Sequence, residues 1–105
     1  MYQKAISVYT DIISSDLQGN YVIYYLRGKD YFLCGAFERA IDDFRTYVDF
    51  EKSDEKKIWG YYYMGRSYLE IGLKEEACRV LRKGLKCYPD SKRLSSLLKE
   101  IEKGR

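Results

Sequence analysis

The stretch Tyr24-Tyr25-Leu26-Arg27-Gly28-Lys29-Asp30-Tyr31 decides the fold, because it returns 37 residues later as Tyr61-Tyr62-Tyr63-Met64-Gly65-Arg66-Ser67-Tyr68. Both leading tyrosines, the glycine and the closing tyrosine coincide. The same offset carries Gly35 onto Gly72, Ala40 onto Ala77 and Phe44 onto Leu81. Counting back 35 from Ala40 reaches Ala5, with Ile6 beneath Ile41, Tyr9 beneath Phe44 and Ile12 beneath Tyr47. The chain therefore holds two full copies of a unit and the second half of an earlier one. A unit of this size buries its apolar face by stacking on its neighbours, so the period points to a helical solenoid.

Each copy reads as two helices. The apolar positions recur at helical spacing, and strand signals are poor because the tyrosine-rich runs lack flanking hairpin turns. Gly28 and Gly65 fall inside a helix, where glycine costs about 1 kcal/mol relative to alanine, so a close-packed neighbour has to account for them. Gly35 and Gly72 mark helix ends and tight turns. Ala40 and Ala77 offer small surfaces where helices cross. Asp90, after Tyr88-Pro89, reads as the N-cap of a final helix. The expected elements are helices at 2–15, 21–34, 37–50, 54–71, 74–87 and 91–103.

Composition limits what such an array can do. The 105 residues are 46% hydrophobic and 16% aromatic, too apolar for a disordered chain. Mean hydropathy is −0.51, and no apolar run approaches the length of a membrane span. The first residues have neither the basic nor the apolar region of a signal peptide. The chain has no histidine, which removes Ser-His and Cys-His nucleophiles and imidazole metal ligands. No phosphate-loop, dinucleotide or zinc-protease motif occurs, and the acidic pairs Asp42-Asp43 and Glu75-Glu76 suit helix starts rather than a catalytic dyad. The reading is a non-enzyme with no cofactor and no metal. Cys34, Cys78 and Cys87 are too widely spaced for a metal or redox pair and read as small buried hydrophobes in a reducing, cytoplasmic setting. Charge is uneven: residues 1–73 carry 9 basic and 11 acidic groups, residues 74–105 carry 10 and 5. The basic end suits an acidic partner or is simply a solvated face.

These residues resemble the tetratricopeptide repeat, a helix-turn-helix unit of about 34 residues with a W-x2-L-G-x2-Y, then A-x3-F, then P pattern. Tyr24, Arg27, Gly28 and Tyr31 match the first part, followed by Ala40, Phe44 and, at the proline place, Lys52. The next copy supplies Tyr61, Met64, Gly65, Tyr68, Ala77, Leu81 and Pro89. The partial copy supplies Ala5, Tyr9 and, at the proline place, Leu17. Sel1-like repeats fit the spacing less well. The resemblance divides a single domain, 1–105, into a second helix of a partial repeat (1–19), two full repeats (21–54 and 58–90) and a capping helix (91–103). The 37-residue spacing implies three extra residues, placed in Phe50–Lys57 as a longer turn or an extended helix.

The resemblance implies a peptide-binding groove lined by the first helix of each unit. Carried onto this chain, its positions are Val22, Tyr25, Lys29 and Leu33; then Trp59, Tyr62, Tyr63, Arg66 and Glu70; then Arg93, Leu97 and Glu100. That is an aromatic and basic surface suited to a protein or peptide ligand, acidic in character. The competing reading pairs Arg66 with Glu70 one turn on. Tyr24, Tyr31, Tyr61 and Tyr68 occupy pattern positions and read as core. Some members of the family clamp a C-terminal carboxylate with lysines, an arginine and asparagines. The one asparagine here, Asn20, is outside the groove positions, so the amide half of that clamp is missing. Two alternatives remain. The helix 2–15, with Ala5, Ile6, Tyr9, Ile12 and Ile13, lacks a first-helix partner and would support homo-oligomers. Single-stranded nucleic acid could stack on the aromatics, which the near-neutral first two-thirds disfavours.

Overall fold

The computed structural model describes residues 1–15, 21–52 and 54–104. It contains six helices: α1 (Tyr2–Ser14), α2 (Val22–Leu33), α3 (Phe37–Phe50), α4 (Asp54–Glu70), α5 (Lys74–Cys87) and α6 (Lys92–Gly104). Each expected helix is present, displaced by at most one residue at either end. No strand occurs among the described residues.

The repeat is visible in the turns. After α2, the Ala36 amide donates to the Tyr31 carbonyl at 2.8 Å and the Gly35 amide to Phe32 at 3.2 Å. After α4, Leu73 donates to Tyr68 at 2.9 Å and Gly72 to Leu69 at 3.0 Å. Both are the same double-bonded helix stop, with Gly35 and Gly72 at φ +88° and +82°, where a Cβ would be strained. The chain then re-enters a helix, with Ala36 and Leu73 sharing one backbone conformation. Such short connections between packed neighbours make each pair antiparallel.

The extra residues of the longer repeat lie in α4. By the 37-residue offset, the start of α2 at Val22 corresponds to Trp59, yet α4 begins at Asp54, an added turn. At the other end, α6 is capped by Ser91, whose hydroxyl accepts the Leu94 amide at 3.3 Å, and not by Asp90. Pro89 and Asp90 are exposed in the turn closed by the Ser91 amide on the Tyr88 carbonyl. That turn consumes Asp90 and moves the cap one residue on. Lys52 is exposed, whereas Leu17 and Asn20 lie outside the described residues.

Consecutive helices pack all along the chain, and α2 touches α4 as α4 touches α6, whereas α1, α3 and α5 do not touch one another. The even-numbered helices therefore form one layer, here the inner layer, and the odd-numbered helices the other, in an elongated slab of 42 × 27 × 17 Å. Its core runs between the layers through Ala40, Phe44, Tyr47, Met64, Ala77, Leu81 and Leu94. The helical glycines allow this approach. A Cβ at Gly28 would lie 3.0 Å from the Phe44 ring, and one at Gly65 2.9 Å from Leu81. The cysteine expectation needs correcting: Cys78 is buried, but Cys34 and Cys87 end their helices in solvent, and all three are free thiols.

Candidate functional site

Helical spacing places Tyr25, Lys29 and Phe32 on one stripe of α2, and Trp59, Tyr62, Tyr63 and Arg66 on the facing stripe of α4. Tyr63 is the centre of the arrangement. It stacks on Phe44 at 5.6 Å and on Trp59 at 6.0 Å, and meets Tyr25, Phe32 and Tyr62 edge-on at 6.3, 5.4 and 5.3 Å. Trp59 in turn meets Tyr62 at 5.9 Å. Offset and edge-to-face contacts of this kind add to the burial energy and fix the rings.

Three cations lie on these rings. Lys29 Nζ is 6.0 Å from the Tyr25 centroid and 5.7 Å from Tyr63. The Arg66 guanidinium is 5.2 Å from Phe32 and 5.7 Å from Tyr62, and its Nη1 donates to the Tyr62 hydroxyl at 3.4 Å. Arg93, reaching from α6, stands 4.0 Å from Trp59 and 5.4 Å from Tyr62. The structure thus gathers Tyr25, Lys29, Trp59, Tyr62, Tyr63, Arg66 and Arg93 into one cluster spanning α2, α4 and α6. Glu70 adjoins it in a cleft of about 460 Å³ between α4 and α6, lined also by Tyr62, Arg66, Leu97 and Glu100.

Several placements differ from the sequence reading. Arg66 does not pair with Glu70; it is held by aromatic faces instead. Leu97 is 8% exposed and belongs to the core, because α6 turns its apolar side onto α4 and α5. Tyr25, Tyr62 and Tyr63 are half-buried, with one side against the core. Burial, with Tyr63 beside it, pushes the Tyr25 hydroxyl up to about 12. Of the pattern tyrosines Tyr61 is buried, while Tyr24, Tyr31 and Tyr68 are half-buried. Val22 is half-buried and Leu33 exposed. On α1, Ile6 is buried and Ala5 half-buried, with Tyr2 and Val8 in solvent.

Two features escaped the sequence reading. Phe32, seven residues after Tyr25, supports both Tyr63 and Arg66; that spacing places it on the same stripe. The second is an ion pair joining three helices. Arg27 Nε and Nη2 donate to the two Asp43 oxygens at 2.8 and 2.7 Å, and Nη1 donates to Thr10 of α1 at 3.2 Å. Tyr24 and Tyr31 flank the guanidinium at 5.7 and 5.5 Å, which explains why these two rings are not fully enclosed. Burial pushes the Asp43 carboxyl above the usual carboxylate range, against the pull of Arg27. Asp42 points elsewhere, to Arg45, and Glu76 accepts from Arg79.

Fold and cluster together define an all-α helical-repeat protein with an aromatic, cation-decorated inner layer. No family model matches the chain. A DnaJ homolog subfamily C member 3 homolog of Dictyostelium discoideum is 28% identical over 104 residues, which cover 97% of this chain. The chain spans about a fifth (20%) of the length of that curated relative. No helix among the described residues is long and apolar enough to cross a membrane.

Proposed function

We propose that the chain is a non-catalytic protein-interaction module of the tetratricopeptide type, binding a peptide segment across its inner layer. In this reading 21–54 and 58–90 are its full repeats, 1–19 completes an earlier one and 91–103 caps the array. One observation carries the proposal: rings and cations converge from three helices on a surface that the core does not enclose, with Trp59 still 36% exposed beneath Arg93. Rigid aromatic area beside guanidinium groups is the composition of binding hot spots. The match of nearly the whole chain to one part of a much longer DnaJ-named relative supports a modular role.

The test is the double variant Tyr62→Ala/Arg66→Ala, assayed with peptides selected on the wild-type chain from a displayed random library. Helicity is expected to hold, with a melting temperature lowered by loss of the half-buried Tyr62 ring, while peptide binding is lost. Unfolding of the variant would show that these side chains serve the core, and undisturbed binding would place the site elsewhere.

A further inference from the structure

Among the described arginines, the two over the aromatic cluster, Arg66 and Arg93, are partnered differently from the four that meet a carboxylate. Arg27, Arg45, Arg79 and Arg82 each meet a carboxylate, from Asp43, Asp42, Glu76 and Glu102. Lys29, Arg66 and Arg93 meet none among the described residues and lie on ring faces. A guanidinium stacked on a ring keeps the N–H fork at its edge available, and the ring restricts its motion before a ligand arrives. Arg66 and Arg93 share the Tyr62 ring, and Lys29 sits over the adjoining Tyr63. Three preplaced positive charges with no ion-pair partner among the described residues are therefore grouped around one tyrosine pair. Side-chain amides are not part of this surface: among the described residues Gln3, on α1, carries the one side-chain amide. Leu26 and Leu33, at helical spacing on either side of Lys29, are both exposed.

Building on the groove reading above, we propose that the bound segment is an internal acidic stretch of another protein. Side-chain carboxylates spaced along it pair with Lys29, Arg66 and Arg93, and apolar side chains between them rest on Leu26 and Leu33. The three cations come from three different helices, so they suit carboxylates distributed along a segment better than the single carboxylate of a chain end. Glu70 and Glu100, lining the cleft beyond Tyr62, bound the acid-reading stretch, because a further carboxylate there would be repelled.

The experiment uses a dodecapeptide alternating Glu with Tyr and Leu, acetylated and amidated at its ends, and a counterpart with every Glu replaced by Gln. Binding is read by fluorescence anisotropy and by emission of Trp59, the one tryptophan of the chain. The Glu peptide is expected to bind about tenfold or more tighter than the Gln peptide, as charge-assisted hydrogen bonds require, and to weaken with added salt. Arg66→Gln/Arg93→Gln and, separately, Lys29→Gln should each reduce that preference, and Arg66→Lys/Arg93→Lys should restore part of it. Equal affinity for the two peptides, or binding that appears only with a free C-terminal carboxylate, would overturn the proposal. If library-selected peptides bind at Tyr62 and Arg66 but the Glu peptide does not, the acidic assignment fails and the groove reading stands. If neither class of peptide binds, both fail.

Discussion

Arg27 stands where the next repeat has Met64, and Asp43 stands where it has Val80. The same position in the fold is thus filled once by an ion pair and once by apolar side chains. Removing a single partner from a buried pair is costly, whereas replacing both need not be. Arg27→Met should therefore lower stability by about 3 kcal/mol at pH 7 in a urea titration, and Arg27→Met/Asp43→Val should recover most of it. The single variant also has a defined pH dependence. Burial already raises the folded-state pKa of Asp43, and without Arg27 nothing on the guanidinium side opposes that rise. A carboxyl with a raised folded-state pKa takes up protons on folding, so stability increases as pH falls through that pKa toward the unfolded value. The deficit of Arg27→Met should shrink from pH 7 to pH 4; a constant deficit would show that Asp43 is not the group left exposed to the penalty. In the sequence, Arg27 passes as one of the residues that match the repeat pattern. Its partner is not visible there, because 16 residues and a turn separate them and only packing brings them together.

At the scale of the element, the helices were legible because two copies of one pattern fixed their phase, length and stops. Both glycine turns and helices α2 to α5 followed from the offset of 37, α1 from a second offset of 35 and α6 from the turn at Pro89-Asp90. The offset of 37 does not decide whether the extra residues lengthen a turn or extend α4. The misreadings lie where that offset is silent. Asp90 and Ser91 are equally good caps in isolation, and the local turn chose between them. Gly60 has no counterpart in the previous copy, where Ile23 stands, so the repeat gave no reason to notice it. Yet a Cβ there would lie 2.5 Å from Val48 Cγ1 and 3.0 Å from the Tyr47 ring, making it the tightest crossing between α3 and α4. Val48 is short and stiff and cannot swing aside. Gly60→Ala should cost about 1–2 kcal/mol in thermal or urea unfolding, overpacking outweighing the gain in helix propensity. Val48→Ala in the same chain should return part of that loss. An alanine variant as stable as wild type would mean that α3 and α4 are less closely packed than described.

For the molecule as a whole, the positions that the resemblance assigns to a groove divide: Tyr25, Lys29, Trp59, Tyr62, Tyr63, Arg66 and Arg93 meet in one cluster, whereas Leu97 is buried in the core. The clustered side chains are ones the resemblance assigns to recurring places in each unit, and position in a helical unit fixes direction. The resemblance did not reveal that Tyr25, Tyr62 and Tyr63 are rooted in the core, because a ring as large as tyrosine can serve both sides of a thin slab. Nor could it show that Leu97 turns inward, which depends on how α6 packs against α4 and α5. The cluster is consequently rigid: its rings are fixed from behind by Phe44 and Tyr47 while its cations stay at the surface. The most direct test of a binding role for this layer is an NMR titration of the isotope-labelled chain with a peptide selected on it. The largest shifts are expected on Lys29, the Trp59 indole, Tyr62, Arg66 and Arg93, across α2, α4 and α6. Shifts concentrated on α1 or on the outer side of α5, with the Trp59 indole unmoved, would contradict it.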